Sequence, residues 1–272
     1  MAMSSIPRLY VESDLVAKGF AALDDSQAKY LTRVMRLGIG DHVRVFNGRD
    51  GEWDAVIDQV EGRSVLLRAE RQLRAQLETA GLILLFAPLK KAQTDFAVEK
   101  ATELGATVIQ PVMTARTQAS RVRSDRLQKI AMEAAEQTER LDMPVVKAAL
   151  DLDAAIESLP GGAPLVFCDE AGDDRDAAWG GENGRAEPML AALERLEPGC
   201  AAVLIGPEGG FSPEERERLR GDPRCIPVTL GPRILRAETA VVAALALFQA
   251  RLGDWRASGP EDRPATEMDE KS

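Results

Sequence analysis

The chain has 272 residues, room for one large domain or two smaller ones at about 150 residues each. Its 45% hydrophobic and 29% charged content is globular, and with only 4% aromatics the core must rest on Leu, Val, Ile and Ala. No apolar run approaches the roughly 18 residues of a membrane span, and no basic-then-apolar leader opens the chain, so neither membrane insertion nor secretion is expected. The formal net charge of −10 argues against a protein that clasps nucleic acid through bulk charge, which needs a basic excess.

Up to about residue 72 the signals are short strands. Leu9-Tyr10-Val11, Val43 to Phe46, Trp53 to Val60 and Val65 to Ala69 are predicted strands, with Asn47-Gly48 and Asp50-Gly51 as hairpin turns and one helix over Ser26 to Met35. This reads as a small β-barrel or sandwich, with His42 structural. After a polar connection from Glu70 to Thr79, the unbroken apolar run Leu82 to Ala87 has the pattern of a strand buried on both faces. Asp95 to Leu104 is a predicted helix with Phe96, Lys100 and Glu103 at helical spacing and Gly105 as its C-cap, followed by a strand at Val108-Ile109. Ser124-Asp125 is expected to cap a longer helix carrying Leu127, Ile130, Ala134 and Leu141 on one face. Leu165 to Cys168, Ala202 to Ile205 and Ile226 to Leu230 are further strands separated by helices. Such alternation implies a mainly parallel sheet covered on both faces. The Gly/Asp-rich stretch 172–184 is a predicted surface loop. The reading gives three regions: residues 1–74, residues 75–253, and an acidic, disordered tail over 254–272.

Three cysteines (Cys168, Cys200, Cys225) without C-x-x-C spacing argue against a disulfide framework and a zinc knuckle and fit a reducing cytoplasm. A single histidine rules out a histidine metal cluster, and no metal is expected. The stretch from Arg116 to Lys147 is locally basic, with Arg121, Arg123, Arg126, Lys129 and Arg140 between.

The chemistry concentrates at two strand ends. In Leu204-Ile205-Gly206-Pro207-Glu208-Gly209-Gly210-Phe211-Ser212-Pro213-Glu214-Glu215 a buried strand runs into a glycine-rich turn. A helix then opens with Ser212 as N-cap, Pro213 at its first position and Glu215 at its third. Ligands of open α/β sheets sit at the carboxyl ends of strands, where this loop must be. Neither the phosphate loop of nucleotide triphosphatases nor a dinucleotide fingerprint is present. The second end, Leu230-Gly231-Pro232-Arg233-Ile234-Leu235-Arg236-Ala237-Glu238-Thr239-Ala240, precedes a helix over Ala240 to Leu252, with Val241, Ala244, Leu245, Phe248 and Leu252 on its apolar face. One loop bears a carboxylate and the other two arginines, a plausible pocket rim.

Together these segments resemble the signature of the 16S ribosomal RNA (uracil-N3)-methyltransferase family, of the SPOUT class of trefoil-knotted α/β methyltransferases. Lys100-Ala101-Thr102-Glu103-Leu104-Gly105-Ala106, Ile109-Gln110-Pro111, Glu133 to Arg140, Arg8-Leu9-Tyr10-Val11 and Val34-Met35-Arg36-Leu37 agree with it, so the likeness runs from residue 6 to about 250. The tail lies outside it.

The resemblance implies a PUA-like RNA-binding β-barrel followed by a knotted methyltransferase domain, working as a cytoplasmic homodimer. S-adenosylmethionine would be held by the main chain at Leu204, Gly206, Glu208, Gly210, Leu230, Gly231, Ile234, Leu235 and Arg236, with Thr239 and Ala240 close by. The substrate would be one uridine in the decoding region of 16S ribosomal RNA, methylated at N3 within the assembled small subunit. Arg8, Arg33, Arg36, Arg116, Arg121 and Arg140 are the candidate RNA contacts.

Uracil N3 carries a proton and pairs through that edge, so the base must be unpaired and must lose the proton as the methyl arrives. Glu208 is a candidate acceptor, or else serves the helix N-terminus electrostatically. Arg236 is the candidate for stabilising charge on the uracil oxygens. Two rivals are a knotted methyltransferase acting on transfer RNA and a non-catalytic RNA-binding assembly factor.

Overall fold

The computed structural model describes residues 6–77, 81–119, 121–169 and 186–256; the predicted loop over 172–184 and the tail beyond residue 256 lie outside them. The chain divides into two compact units. The first takes Met1–Glu78 together with Met132–Met143, and the second takes Thr79–Ala131 and Pro144–Ser272.

In the first unit the elements are β1 (Arg8–Tyr10), β2 (Phe20–Ala22), α1 (Asp25–Lys29), β3 (His42–Phe46), β4 (Glu52–Glu61) and β5 (Ser64–Arg74). They form one sheet in the order β1-β3-β4-β5-β2, parallel between β1 and β3 and antiparallel elsewhere. Alternation fixes the faces: Val43 and Val45, Ala55 and Ile57, and Val65 and Leu67 point to one buried core with Leu9 and Leu31. Asp24 caps α1 in a reciprocal pair with Gln27, and the helix continues into a wider π-turn over Tyr30–Val34. Gly51 turns the β3–β4 hairpin at φ 75°. A Cβ there would lie 2.1 Å from the Arg74 carbonyl oxygen, so only glycine fits. His42 is exposed and pairs with Asp54 at 2.9 Å across the β3–β4 ladder.

The second unit contains, in chain order, β6 (Leu82–Phe86), α2 (Lys91–Glu103), β7 (Val108–Met113), α3 (Ser124–Gln137), β8 (Val145–Val146), β9 (Leu150–Asp151), α4 (Leu152–Glu157), β10 (Leu165–Cys168), β11 (Glu187–Pro188), α5 (Met189–Leu193), β12 (Ala201–Ile205), α6 (Pro213–Gly221), β13 (Cys225–Thr229) and α7 (Ala237–Arg251). The last residues of α3 belong to the first unit. Every pairing among these strands is parallel, in the order β11-β13-β10-β12-β6-β7-β8, with β9 also on β7.

Both faces are buried, as the apolar runs predicted. Leu82, Leu84, Phe86, Val166, Val203 and Ile205 face a core shared with α2, α5 and α7. Ile83, Leu85, Leu165, Phe167, Ala202 and Leu204 face the opposite core, covered by α4 and α6.

The structure sets the faces of α2 and corrects two readings. α2 turns Thr94, Ala97, Val98, Ala101 and Thr102 inward. Phe96, Lys100 and Glu103 form its outer face, with Lys100 paired to Glu99 and Glu103 and lying over the Phe96 ring. Small residues let this helix pack closely against α7, so its large side chains point away. Ser124 lies inside α3 rather than capping it, its hydroxyl donating to the Lys147 carbonyl at 3.0 Å. α7 begins three residues earlier than expected, which puts Thr239 and Ala240 in its first turn.

Candidate functional site

Three loops of the second unit meet at the carboxyl end of its sheet. β12 ends at Ile205 and turns through Gly206-Pro207-Glu208, β10 ends at Cys168 and continues to Asp169, and the stretch after β13 returns through Ile234-Leu235-Arg236 into α7. They enclose a cavity of about 360 Å³, within the range of small-molecule sites. Its wall is largely apolar: Ile205, Pro207, Phe211, Ile234, Leu235, Ala237 and Ala240. Glu208 and Arg236 line it from exposed positions.

The floor is held by packing. Phe211 is 5% exposed and meets Phe167 edge-to-face with centroids 5.0 Å apart. Gly206 lies under that ring: a Cβ at 206 would be 2.5 Å from the Phe211 Cε2.

The loop's position is fixed by charge and hydrogen bonds. Ser212 and Glu215 form the predicted capping box at the start of α6, with Pro213 at the first helical position. Glu215 is buried and its two carboxylate oxygens divide their work: Oε2 accepts from the Ser212 amide at 2.8 Å, and Oε1 accepts from the Ala115 amide at 2.7 Å. Arg116 donates to the Gly209 carbonyl at 2.9 Å. The turn after β7 is therefore tied to the glycine loop twice. Asp169, 3% exposed, is clamped by Arg216 at 2.8 Å and Arg220 at 2.7 Å, both on α6.

Of the residues expected to hold a cofactor, Gly206, Glu208, Gly210, Ile234, Leu235, Arg236 and Ala240 come together around this cavity. Leu204, Leu230, Gly231 and Thr239 do not line it: Leu204 is buried in β12, and Thr239 is exposed in the first turn of α7. Cys168 and Asp169 are lining residues the motifs did not announce. Their position at the end of an apolar strand was the available signal.

The arginines expected to contact RNA separate into two groups. Arg33, Arg36 and Arg121 are exposed and Arg116 is spent in part on the glycine loop. Arg8 and Arg140, also expected as RNA contacts, have their side chains largely buried and paired inside the first unit. Arg8, its side chain 7% exposed, pairs with Glu52, donates to the Ala135 and Arg140 carbonyls, and lies over the Phe46 ring. Arg140 pairs with Asp142, both side chains largely buried. Burial, which charge in a sequence does not report, decides this.

Beside Arg8, Glu136 accepts the Tyr10 amide at 2.9 Å. Burial pushes its carboxyl up to about 7, against the pull of that hydrogen bond, with Glu133 adding to the rise. Because the folded value lies above the ordinary 4.5, the protonated form favours the fold. The first unit should lose stability as pH rises from about 4.5 to about 7. Urea midpoints of Glu136→Gln should lack that component of the decline; a wild-type-minus-variant difference that is flat across the window would refute it.

Among the described residues no group of three His, Cys, Asp or Glu is placed to hold a metal, and no helix is long and apolar enough to cross a membrane.

Residues 76–249 match the RNA methyltransferase domain family, and residues 23–70 match the RNA methyltransferase PUA domain. A ribosomal RNA small subunit methyltransferase E from Rickettsia conorii is 31% identical over 246 residues, covering 90% of this chain and 95% of that protein. Its counterpart from Synechocystis is 33% identical over 251 residues, covering 90% and 78%. Among solved structures, a ribosomal RNA small subunit methyltransferase E from Neisseria gonorrhoeae bound to S-adenosylmethionine superposes with a TM-score of 0.75 at 26% identity, covering 92% of this chain and 99% of the other. A methyltransferase from Legionella pneumophila with bound S-adenosylmethionine has the same TM-score and coverage at 27% identity.

Proposed function

This chain belongs to the RNA methyltransferase family with its attached PUA domain, and on that premise we propose that it methylates N3 of a uridine in small-subunit ribosomal RNA, using S-adenosylmethionine. The observation that carries the reading is the cavity between the two predicted glycine loops, at the end of the sheet where the family resemblance puts the cofactor.

The cavity suits that group. Apolar walls from Ile205, Ile234, Leu235 and Phe211 accept the adenine and the methylene carbons beside the sulfonium, and the side-chain-free Gly206 and Gly210 leave main-chain atoms within reach. When bound, S-adenosylmethionine supplies a methyl already activated on a sulfonium, so the protein's task is alignment. Holding the reactants in line is worth about 7–11 kcal/mol of the barrier. Glu208, exposed on the rim, is the candidate acceptor for the N3 proton. Arg236, at the start of α7, is the candidate to face the uracil oxygens as negative charge develops. Glu208 also stands a few residues before α6, so its carboxylate would favour that helix N-terminus.

The reading extends to a trefoil knot, a homodimer, and action in the cytoplasm on the decoding region of an assembled small subunit. One feature supports the knot. β13 lies beside β10 on the side away from β12, yet α7, which follows it, packs on β12 and α2. The chain therefore returns across the sheet end after β13.

Mapping N3-methyluridine in ribosomal RNA by mass spectrometry, with and without the gene, tests the substrate: one small-subunit uridine should lose its methyl, and an unchanged profile overturns the assignment. Complementation with Arg236→Ala should restore less than about one hundredth of the wild-type rate. Glu208→Gln at near-full rate removes the acceptor role.

A further inference from the structure

A second cavity of the same unit, about 500 Å³, opens at the carboxyl end of β6, the strand paired with β12. Five of its lining side chains are cationic, Lys90, Lys91, Arg121, Arg123 and Arg126, and no carboxylate among the described residues lines it. In a chain whose formal charge is −10 this is a local inversion of sign. Two of the five are already paired, Arg123 with Asp125 at 2.8 Å and Arg126 with Asp95 at 2.5 Å. The side chains of Lys90, Lys91 and Arg121 are exposed and have no hydrogen-bond or ion-pair partner among the described residues.

Like charges gathered around a concavity repel one another and raise its potential, and an anion relieves both effects. Hydrogen bonds also tie the segments flanking this cavity to those flanking the cofactor cavity. The Ala87 amide donates to the Ile205 carbonyl at 3.0 Å, which fixes the β6 exit beside the start of the glycine loop. The stretch after β7 carries Arg116, bonded to Gly209, at one end and Arg121 at the other. A polyanion lying in the cationic cavity would thus run toward the glycine loop, with one base able to reach the cofactor cavity.

We infer that this cavity is a phosphodiester-binding site for the RNA strand next to the target nucleotide, with Lys90, Lys91 and Arg121 as the phosphate contacts. The inference rests on the proposed function and deepens it, since it assigns the substrate grip to the second unit.

The test uses the full-length protein and the variant Lys90→Ala/Lys91→Ala/Arg121→Ala. Binding of a fluorescently labelled single-stranded RNA is followed by anisotropy across a salt series, S-adenosylmethionine binding by calorimetry, and methylation on small ribosomal subunits that lack the modification. Each phosphate contact contributes about 0.7 to the slope of log affinity against log salt, so three should lower it by about 2, and RNA affinity should fall about tenfold or more. KM for the subunits should rise, S-adenosylmethionine affinity should stay unchanged, and Lys90→Arg/Lys91→Arg/Arg121→Lys should restore RNA binding. A wild-type enzyme that methylates the subunits beside a triple-alanine variant whose RNA affinity and salt slope are unaltered overturns this inference alone. Wild-type protein that leaves the subunits unmethylated overturns the proposed function and, with it, the premise of this site.

Discussion

Glu52→Ala is expected to destabilise the first unit by about 3–5 kcal/mol, the cost of removing one member of a buried ion group. Glu52 is 2% exposed and accepts from Arg8 Nε at 2.5 Å and from Arg74 Nε at 2.9 Å. Without it, two guanidinium groups that cannot shed their protons are left facing each other, with only the exposed Glu139 carboxylate, 3.9 Å from Arg74, as countercharge. Arg8 in turn holds the Ala135 carbonyl and Arg74 the Glu139 carbonyl, so the loss also frees the segment Met132–Met143 from the sheet. Burial alone would raise the Glu52 carboxyl, but hydrogen bonds from Arg74 and Arg8 outweigh it and hold its pKa below the ordinary 4.5. Its stabilising effect is therefore complete above about 4.5 and is lost as pH falls through the folded value, the reverse of Glu136. Urea unfolding read by fluorescence of Trp53, which stands in this sheet, should show the lowered midpoint and a flattened acid limb. A variant as stable as wild type at neutral pH contradicts the buried-group account.

That cluster also marks where the sequence stops being informative. The long strands of both units were legible because burial imposes a pattern: period two in Val43-x-Val45, unbroken apolar residues in Leu82 to Phe86. The capping box at Ser212 and Glu215 was legible because helix starts have local chemistry. β2, β8, β9 and β11, of two or three residues each, offer too few positions for any period. The inward face of α2 was not legible because its packing selects Ala and Thr rather than large apolar residues.

The same division runs through the site. Gly206, Gly210 and Arg236 were found from punctuation at two strand ends. Cys168 and Asp169, from a third, carry no punctuation and become visible only when β10 is set between β12 and β13. Arg8 and Arg140 show the converse: their charge suggests an RNA surface, and only three-dimensional neighbours reveal them as internal partners.

Gly206→Ala, a change of one methyl group, is expected to weaken S-adenosylmethionine binding at least about tenfold while leaving the protein folded. The added Cβ would lie 2.5 Å from Cε2 of Phe211, inside any allowed contact, and 3.0 Å from its Cδ2, tighter than most. An exposed ring would swing aside cheaply, but this one is buried and packed edge-to-face on Phe167. Overpacking of this kind costs about 1–3 kcal/mol and is relieved toward open space. The open space here is the cavity itself, which Phe211 already lines, so relief of the clash takes volume from the ligand. Each factor of ten in affinity is about 1.4 kcal/mol, so the strain is enough to account for the loss. Shortening the ring should reverse it: in the Gly206→Ala background, Phe211→Leu removes the atoms in conflict, and calorimetry should find affinity partly recovered even though Phe211→Leu alone weakens packing. Such a non-additive pair is the signature of direct contact. If Gly206→Ala binds as wild type does, or if Phe211→Leu merely adds to its loss, the glycine is not there to seat the ring, and the cavity wall owes its shape to something other than this contact.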